Sequence, residues 1–188
     1  MRQGITFLSL SPVIRSVNGP RIAVTGTPGC GKTTLCEGLA STTVSVATLA
    51  AQHNCLGPSD VEDDASPVDI ELLNERIEWP EGSPLWVDGH LSHLLAVDAI
   101  VLLRCHPEAL QQRLESRGYT ETKVTQNVES ELIGLIAAEC EGRPCLELDS
   151  ADSIADLIDA VKAWTADGFK PSRPHATIDW IALIHDGD

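Results

Sequence analysis

Basic residues are scarce in this chain. Only 13 of its 188 residues are lysine or arginine, against 28 aspartate or glutamate, and the formal net charge is -15. Four of the basic residues are lysines. A surface of this sign repels DNA, RNA and anionic membranes. We therefore expect no direct bulk nucleic-acid binding and no membrane binding, and any phosphate has to be held by a local site.

Long apolar runs and cysteine pairs are also missing. No run approaches the roughly 20 apolar residues that span a bilayer, and the first residues lack the pattern of a signal peptide. The 6 cysteines contain no C-x-x-C pair, so the common zinc sites and disulfide frameworks are excluded and free thiols are predicted. With aromatic residues at only 4%, the core has to be mostly aliphatic. We expect a cytoplasmic protein.

Short apolar segments alternate with helical patterns between residues 21 and 166. This alternation predicts a single α/β domain in which helices flank a five-stranded parallel sheet. The predicted strands are Ile22–Val24, Val44–Val46, Leu85–Val87, Ala99–Leu103 and Cys145–Leu148, and one long helix is predicted from Val124 to about Glu139. Residues 1–20 form a poorly patterned leader, and residues 167–188 form a tail with enough apolar residues to dock on the domain.

A phosphate-binding motif lies between the first strand and the first helix. Gly26-Thr27-Pro28-Gly29-Cys30-Gly31-Lys32-Thr33 matches G-x-x-x-x-G-K-[ST], and Thr34 follows. The glycines, Gly29 and Gly31 among them, let backbone N–H groups surround phosphate oxygens. In this motif Lys32 reaches the β- and γ-phosphates, Thr33 is a ligand of Mg²⁺, and Thr34 is placed near the α-phosphate. The motif predicts a P-loop NTPase that binds ATP and Mg²⁺.

The size and the missing motifs narrow the class of P-loop protein. The chain is short for a motor or a large ATPase, and no asparagine precedes any of its lysines, so the guanine-reading N-K-x-D of GTPases is absent. Small kinases of nucleotides or metabolites fit the length best. The fold predicted is therefore that of a nucleoside monophosphate kinase.

Three further motifs follow the P-loop in order. They are Val87-Asp88-Gly89-His90, Arg117-Gly118-Tyr119 and Asn127-Val128-Glu129-Ser130-Glu131. Together with the P-loop they resemble the adenylate kinase isoenzyme 6 family, the nuclear-type adenylate kinases with ATPase activity that are linked to small ribosomal subunit maturation. Residues 88–95 look most like the archaeal members, and the resemblance covers residues 20–164.

The resemblance implies roles for three residues outside the P-loop. Asp88 would orient Mg²⁺, and His90 would position an attacking group or a water at the γ-phosphate. Arg117 would clamp the phosphates at the start of a lid that spans about 117–127. The competing interpretations are a helix cap for Asp88, a packed or solvated histidine for His90 and a solvated arginine for Arg117. For the two glutamates of the last motif, Glu129 and Glu131, we expect solvent exposure.

The acceptor-binding section, about 35–77, departs from the family. Members often carry a basic residue in the helix after the second strand, whereas residues 48–53 contain no lysine or arginine. A desolvated AMP phosphate needs charge-assisted partners. Either Arg76, Gln52 and His53 take over that task, or acceptor binding is weak and ATP hydrolysis matters more. The acidic run between Asp60 and Asp64 is expected to be a solvated loop.

Two main hypotheses follow for the function. In the first, the protein is an adenylate kinase that converts ATP and AMP into two ADP and hydrolyses ATP slowly. In the second, it is an ATP-switched assembly factor that is steered by its negative charge toward a basic small-subunit ribosomal protein. A kinase for another small metabolite is a third possibility, and phosphotransfer to a protein hydroxyl is not excluded.

Overall fold

The computed structural model describes residues 19–58, 66–81 and 84–185. The acidic run between Asp60 and Asp64 and nearly all of the predicted leader lie outside these ranges.

Five parallel strands form one sheet, as predicted, in the order β2-β3-β1-β4-β5. The strands are β1 (Arg21–Thr25), β2 (Thr43–Ser45), β3 (Leu85–Asp88), β4 (Ala99–Arg104) and β5 (Cys145–Asp149). Val24 of β1 is in register with Asp88 of β3. The carboxyl ends of β1 and β3 therefore meet at one edge of the sheet, which is where ligands bind in open parallel sheets.

The central strands are buried on both faces. Every residue of β4 is buried, and the apolar side chains of β1 point alternately to two separate clusters. Ile22 and Val24 pack in the larger cluster, whereas Ala23 packs in another. A strand that helices cover on both faces has a continuous apolar sequence, and the strands could be predicted for this reason.

Eight helices connect or follow the strands within the described residues. They are α1 (Lys32–Gly38), α2 (Val46–Gln52), α3 (Ile70–Arg76), α4 (Pro107–Ser116), α5 (Glu121–Leu132), α6 (Leu135–Glu139), α7 (Ile154–Ala166) and α8 (Trp180–His185). Side chains cap several of them: Ser45, Asp69, Thr120 and Ser153 each accept a hydrogen bond from a backbone N–H of the first turn. These caps satisfy donors that a helix leaves unpaired.

The prediction of one helix from Val124 to Glu139 was wrong. Gly134 adopts a left-handed conformation, with φ of 67°, and separates α5 from α6. Helix α4 ends at Ser116 and α5 begins at Glu121, so the segment predicted as a lid includes the first turns of α5.

The remaining sequence-based expectations about the core hold. All 6 cysteines are free and buried. Trp180 of the tail is buried, so the tail docks on the domain as its apolar residues suggested. Within the described ranges, none of the helices combines the length and the apolar character that crossing a lipid bilayer would require.

Candidate functional site

The P-loop connects β1 to α1 at the carboxyl edge of the sheet. Gly26, Gly29 and Gly31 all have positive φ, and α1 begins directly after Gly31. Lys32 lies at the first position of α1, and its Nζ donates hydrogen bonds to the carbonyl oxygens of Gly26 (2.8 Å) and Thr27 (3.1 Å). The ammonium group is thus folded back over the loop that a phosphate would occupy.

The electrostatic environment of Lys32 suits an anion. Desolvation lowers the pKa of Lys32, and the nearby charge of Arg117 lowers it further, while Asp88 acts in the opposite direction. A bound phosphate would place a negative charge beside the half-buried ammonium group and so stabilise its charged form. Arg117, another of the predicted catalytic residues, is therefore near enough to Lys32 for its charge to affect the ammonium group.

Asp88 lies beside the P-loop because β1 and β3 are adjacent. The hydroxyl of Thr33 donates a hydrogen bond to Asp88 Oδ2 at 2.9 Å, and the backbone N–H of Gly89 bonds the Val24 carbonyl. Hydroxyl and carboxylate oxygens are hard donors of the kind that Mg²⁺ prefers, and Mg²⁺ usually takes its other ligands from water and substrate phosphates. The pair Thr33 and Asp88 can therefore hold a magnesium ion.

His90 and His93 differ in environment although they follow one another closely. His90 is exposed at the cleft, yet the atoms around its ring partly desolvate it. This desolvation lowers the pKa of His90, and the charges of Lys32 and His93 lower that pKa further. His93 is buried, with Nδ1 2.9 Å from Thr25 Oγ1 and Nε2 2.9 Å from Glu139 Oε2. His93 is thus a packed core histidine, while His90 is neutral near pH 7 and available to a ligand.

A cavity of about 400 Å³ borders the P-loop on the side of α4 and α7. The P-loop contributes Gly29, Gly31 and Thr34 to its wall, and α4 with its C-terminal cap contributes Arg113 and Arg117. Arg113 is held by three acceptors: the Gly29 carbonyl (3.5 Å), Cys105 Sγ (3.4 Å) and Ser150 Oγ (3.1 Å). Arg113 is therefore a fixed wall residue, whereas Arg117 is exposed.

A second, larger cavity of about 860 Å³ borders the opposite part of the loop. Lys32, Thr33, Asp88 and His90 line it together with the exposed Tyr119 and with Lys123 of α5. The Lys123 ammonium lies 5.8 Å from the centroid of the Tyr119 ring. Two lysines thus face one cavity, next to the pair that can hold Mg²⁺.

The three residues suggested as substitutes for a basic residue on α2 lie elsewhere. Gln52, His53 and Arg76 line neither of the two cavities. Arg76 instead donates a hydrogen bond to the His53 carbonyl at 3.5 Å, and His53 Nε2 accepts one from the Glu78 backbone. His53 and Arg76 thus join the end of α2 to α3, which gives these two residues a structural role.

Sequence reasoning missed Lys123 and was wrong about Glu131. Lys123 could be seen only as part of the capped start of α5, since no motif marks it. Glu131 was expected in solvent, but it is buried and accepts a hydrogen bond of 2.6 Å from the P-loop hydroxyl of Thr27. The prediction failed because Glu131 contacts Arg104 of β4 and Trp180 of α8, which lie far from it in the sequence. Glu129, two residues earlier, is exposed as expected.

Known proteins match this chain in sequence and in structure. The family model described as "AAA domain" matches residues 22–134. A protein of Archaeoglobus fulgidus named "Putative adenylate kinase" is 37% identical over 174 residues, which cover 88% of this chain and 94% of the relative. A protein of the same name from Thermococcus gammatolerans is 40% identical over 173 residues, covering 88% and 95%.

Solved structures agree on the fold. The crystal structure of a gluconokinase from Sinorhizobium meliloti 1021 superposes with a TM-score of 0.51 at 18% identity, covering 81% of this chain and 94% of that one. At this identity the likeness shows the fold alone, which is that of the P-loop kinases. The sequence matches go further: this chain belongs to the family of the archaeal proteins named "Putative adenylate kinase", and its residues 22–134 form an AAA domain.

Proposed function

We propose that this protein is an adenylate kinase that transfers the γ-phosphoryl group of ATP to AMP and yields two ADP. The observation that carries the proposal is a P-loop that borders two cavities, one of about 400 Å³ at Gly29 and Gly31 and one of about 860 Å³ at Lys32. Donor and acceptor nucleotides have to approach one phosphoryl group from opposite sides, since the attacking and leaving oxygens are roughly in line. The archaeal relatives named "Putative adenylate kinase" support AMP as the phosphate acceptor.

ATP would occupy the smaller cavity and the P-loop. The N–H groups around Gly29 and Gly31 would donate to its phosphates, with Thr34 beside the α-phosphate. Lys32 would exchange its two carbonyl acceptors, Gly26 and Thr27, for phosphate oxygens. Arg117, exposed at the rim, would turn toward the transferred group and offset the charge that develops on it. Closure of the segment 117–127 as a lid remains part of this proposal.

Magnesium would be held by Thr33 and, through water, by Asp88. When bound there, the ion would neutralise the charge that develops on the phosphates during transfer. Asp88 fixes the hydroxyl of Thr33 at 2.9 Å. His90, whose pKa is lowered by desolvation, Lys32 and His93, would donate its ring N–H to the attacking AMP phosphate, or accept a hydrogen bond from an attacking water.

AMP would bind in the larger cavity, with its phosphate facing Lys32 and Lys123. Helix α2 lacks a cation, but Lys123 approaches the same cavity from α5. Lys123 would thus supply the cation for the AMP phosphate that residues 48–53 lack. Tyr119, exposed next to it, offers a ring face for stacking on a base.

A second candidate is an ATPase that acts as a switch in maturation of the small ribosomal subunit. It is favoured by the missing cation on α2 and by the resemblance to the isoenzyme 6 family. The net charge of -15 would steer the protein toward a basic small-subunit ribosomal protein and away from rRNA. In this candidate, water takes the place of AMP beside His90.

Phosphorus NMR of the purified protein with Mg²⁺ and ATP separates the candidates. ADP that forms rapidly, at two per AMP consumed, would establish the adenylate kinase. Slow release of ADP and inorganic phosphate that is indifferent to AMP would instead favour the ATPase. Lys32→Ala should abolish either activity, and Lys162→Ala, an exposed lysine on α7, is the matched control that should retain it.

A further inference from the structure

A buried polar cluster adjoins the P-loop through the side chain of Thr27. It consists of Thr27, Arg104, Glu131, Glu147 and Trp180, none of them more than 4% exposed. We call these five residues the Glu131 cluster. They come from the P-loop, β4, α5, β5 and α8, so the cluster joins segments far apart in the sequence.

Both carboxylate oxygens of Glu131 are used. Oε2 accepts the hydroxyl of Thr27 at 2.6 Å. Oε1 accepts from Arg104 Nε (2.7 Å), the Cys105 backbone N–H (3.1 Å) and Trp180 Nε1 (3.0 Å). Because a buried carboxylate with this many donors has little freedom to move, it holds the Thr27 side chain in one place.

Thr27 connects this carboxylate to the lysine of the P-loop. Its hydroxyl bonds Glu131, while its own carbonyl accepts from Lys32 Nζ at 3.1 Å. The position of that carbonyl decides where the ammonium group lies before a phosphate arrives. The Glu131 cluster can therefore act on Lys32 through one residue of the loop without touching a ligand.

The C-terminal segment supplies part of the cluster. The Trp180 ring lies 5.8 Å from the Arg104 guanidinium and packs edge-on against His106, with centroids 5.4 Å apart. The Ile178 carbonyl accepts a hydrogen bond from Arg104, and the Ile178 N–H donates one to Glu147, each at 3.0 Å. The C-terminal segment is thus hydrogen-bonded to the same buried ion-pair network that binds Thr27 of the P-loop.

We infer that Glu131 is a positioning residue for the P-loop and that the C-terminal segment, through Trp180, helps to set the loop's geometry for ATP. The inference deepens the proposed function, because it rests on the use of ATP. Buried ion pairs are poor stabilisers compared with apolar packing, so stability alone is a weak reason to bury four polar side chains here. A rigid loop gains affinity because less ordering is required on binding.

Thr27 variants test the link between the cluster and the loop. Thr27→Val keeps the shape and removes the donor to Glu131, and Thr27→Ser keeps the donor. Calorimetric titration with a non-hydrolysable ATP analogue and Mg²⁺ should show about tenfold weaker binding for Thr27→Val and nearly unchanged binding for Thr27→Ser. The matched control is Thr165→Val, which removes a hydroxyl bonded only within α7.

Trp180 variants test the contribution of the C-terminal segment. Trp180→Phe keeps an aromatic ring and removes the donor to Glu131, and it should weaken analogue binding several-fold. Trp164→Phe is the control, since Trp164 Nε1 donates to the Pro171 carbonyl and not to the cluster. The double variant Thr27→Val with Trp180→Phe should lose less than the product of the two single losses, because both act through one carboxylate.

Indole NMR measures a signal that should not respond to the analogue if the Glu131 cluster had only a structural role. In a ¹⁵N–¹H correlation spectrum the Trp180 indole peak, assigned from its loss in Trp180→Phe, should shift when the analogue binds. The shift should be much smaller in Thr27→Val. Equal analogue affinity in wild type, Thr27→Val and Trp180→Phe, with a Trp180 peak unmoved by the analogue, would overturn the inference. Because the analogue cannot transfer phosphate, a protein that shows these effects but forms no ADP from AMP refutes the proposed function alone.

Discussion

The hydroxyl of Thr33 donates a hydrogen bond to Asp88 Oδ2 at 2.9 Å, across the boundary between the P-loop and the end of β3. The two residues are 55 positions apart, and they meet because β1 and β3 are neighbours in the sheet. Two oxygen donors are thereby presented beside Lys32. This contact is the part of the site on which metal-dependent transfer would rest.

Asp88→Asn should lower the apparent affinity for magnesium and the rate of ADP formation. The amide keeps the shape but loses the charge that orients metal-bound water, and losses of about 10- to 100-fold are typical for such outer-shell partners. A magnesium titration of initial rates measures the effect. Asp98→Asn serves as control, because Asp98 binds Arg21 at the other end of the strands. Equal magnesium dependence in Asp88→Asn and wild type would contradict the proposed metal site.

Lys123→Gln should raise the KM for AMP and leave ATP hydrolysis without AMP unchanged. A charge-assisted hydrogen bond contributes about 1.5–3 kcal/mol, and the cavity is open to solvent, so we expect roughly a tenfold increase. Steady-state kinetics with each nucleotide varied in turn separate the two effects. Lys162→Gln, on the exposed side of α7, should behave as wild type. An unchanged KM for AMP would remove Lys123 from the acceptor site.

Gly26→Ala should destabilise the domain far more than Gly142→Ala. A Cβ at Gly26 would lie 2.3 Å from the Leu103 carbonyl oxygen, whereas one at Gly142 would meet nothing within 4 Å. The φ of 75° at Gly142 lies in the left-handed region, which costs a non-glycine residue about 1–2 kcal/mol. The φ of 139° at Gly26 lies in a region that is essentially restricted to glycine, so backbone strain and the close approach of Gly26 to β4 act together there. Urea unfolding should show Gly142→Ala near that cost and Gly26→Ala well beyond it. Equal losses would show that the loop can move aside.

The sequence predicted the parts of the fold that depend on short-range patterns. Buried parallel strands are continuous apolar runs, and the P-loop is a contiguous motif, so β4 and Lys32 could be assigned directly. Asp88 was placed correctly beside the P-loop because a strand ends there.

Contacts between distant segments could not be predicted in the same way. Glu131 was expected in solvent because a glutamate on an amphipathic helix usually is, and nothing local signals that Arg104 and Trp180 enclose it. Lys123 lines the larger cavity, and α5, which carries it, is positioned by its packing against α4. These positions are set by tertiary packing, which one sequence does not encode in any short pattern.

The stability of the protein should fall as the pH is lowered through the range in which free histidine titrates. Burial lowers the pKa of His93 in the folded state, so the unfolded chain binds a proton more readily than the folded one. The contribution is therefore fully present above about pH 6.5, the ordinary histidine value, and is lost progressively below it. Urea unfolding at pH 7.5 and 5.5 should show a smaller difference for His93→Gln than for wild type, while His175→Gln in the exposed tail should keep the full difference. An identical pH dependence in His93→Gln and wild type would show that another group controls it.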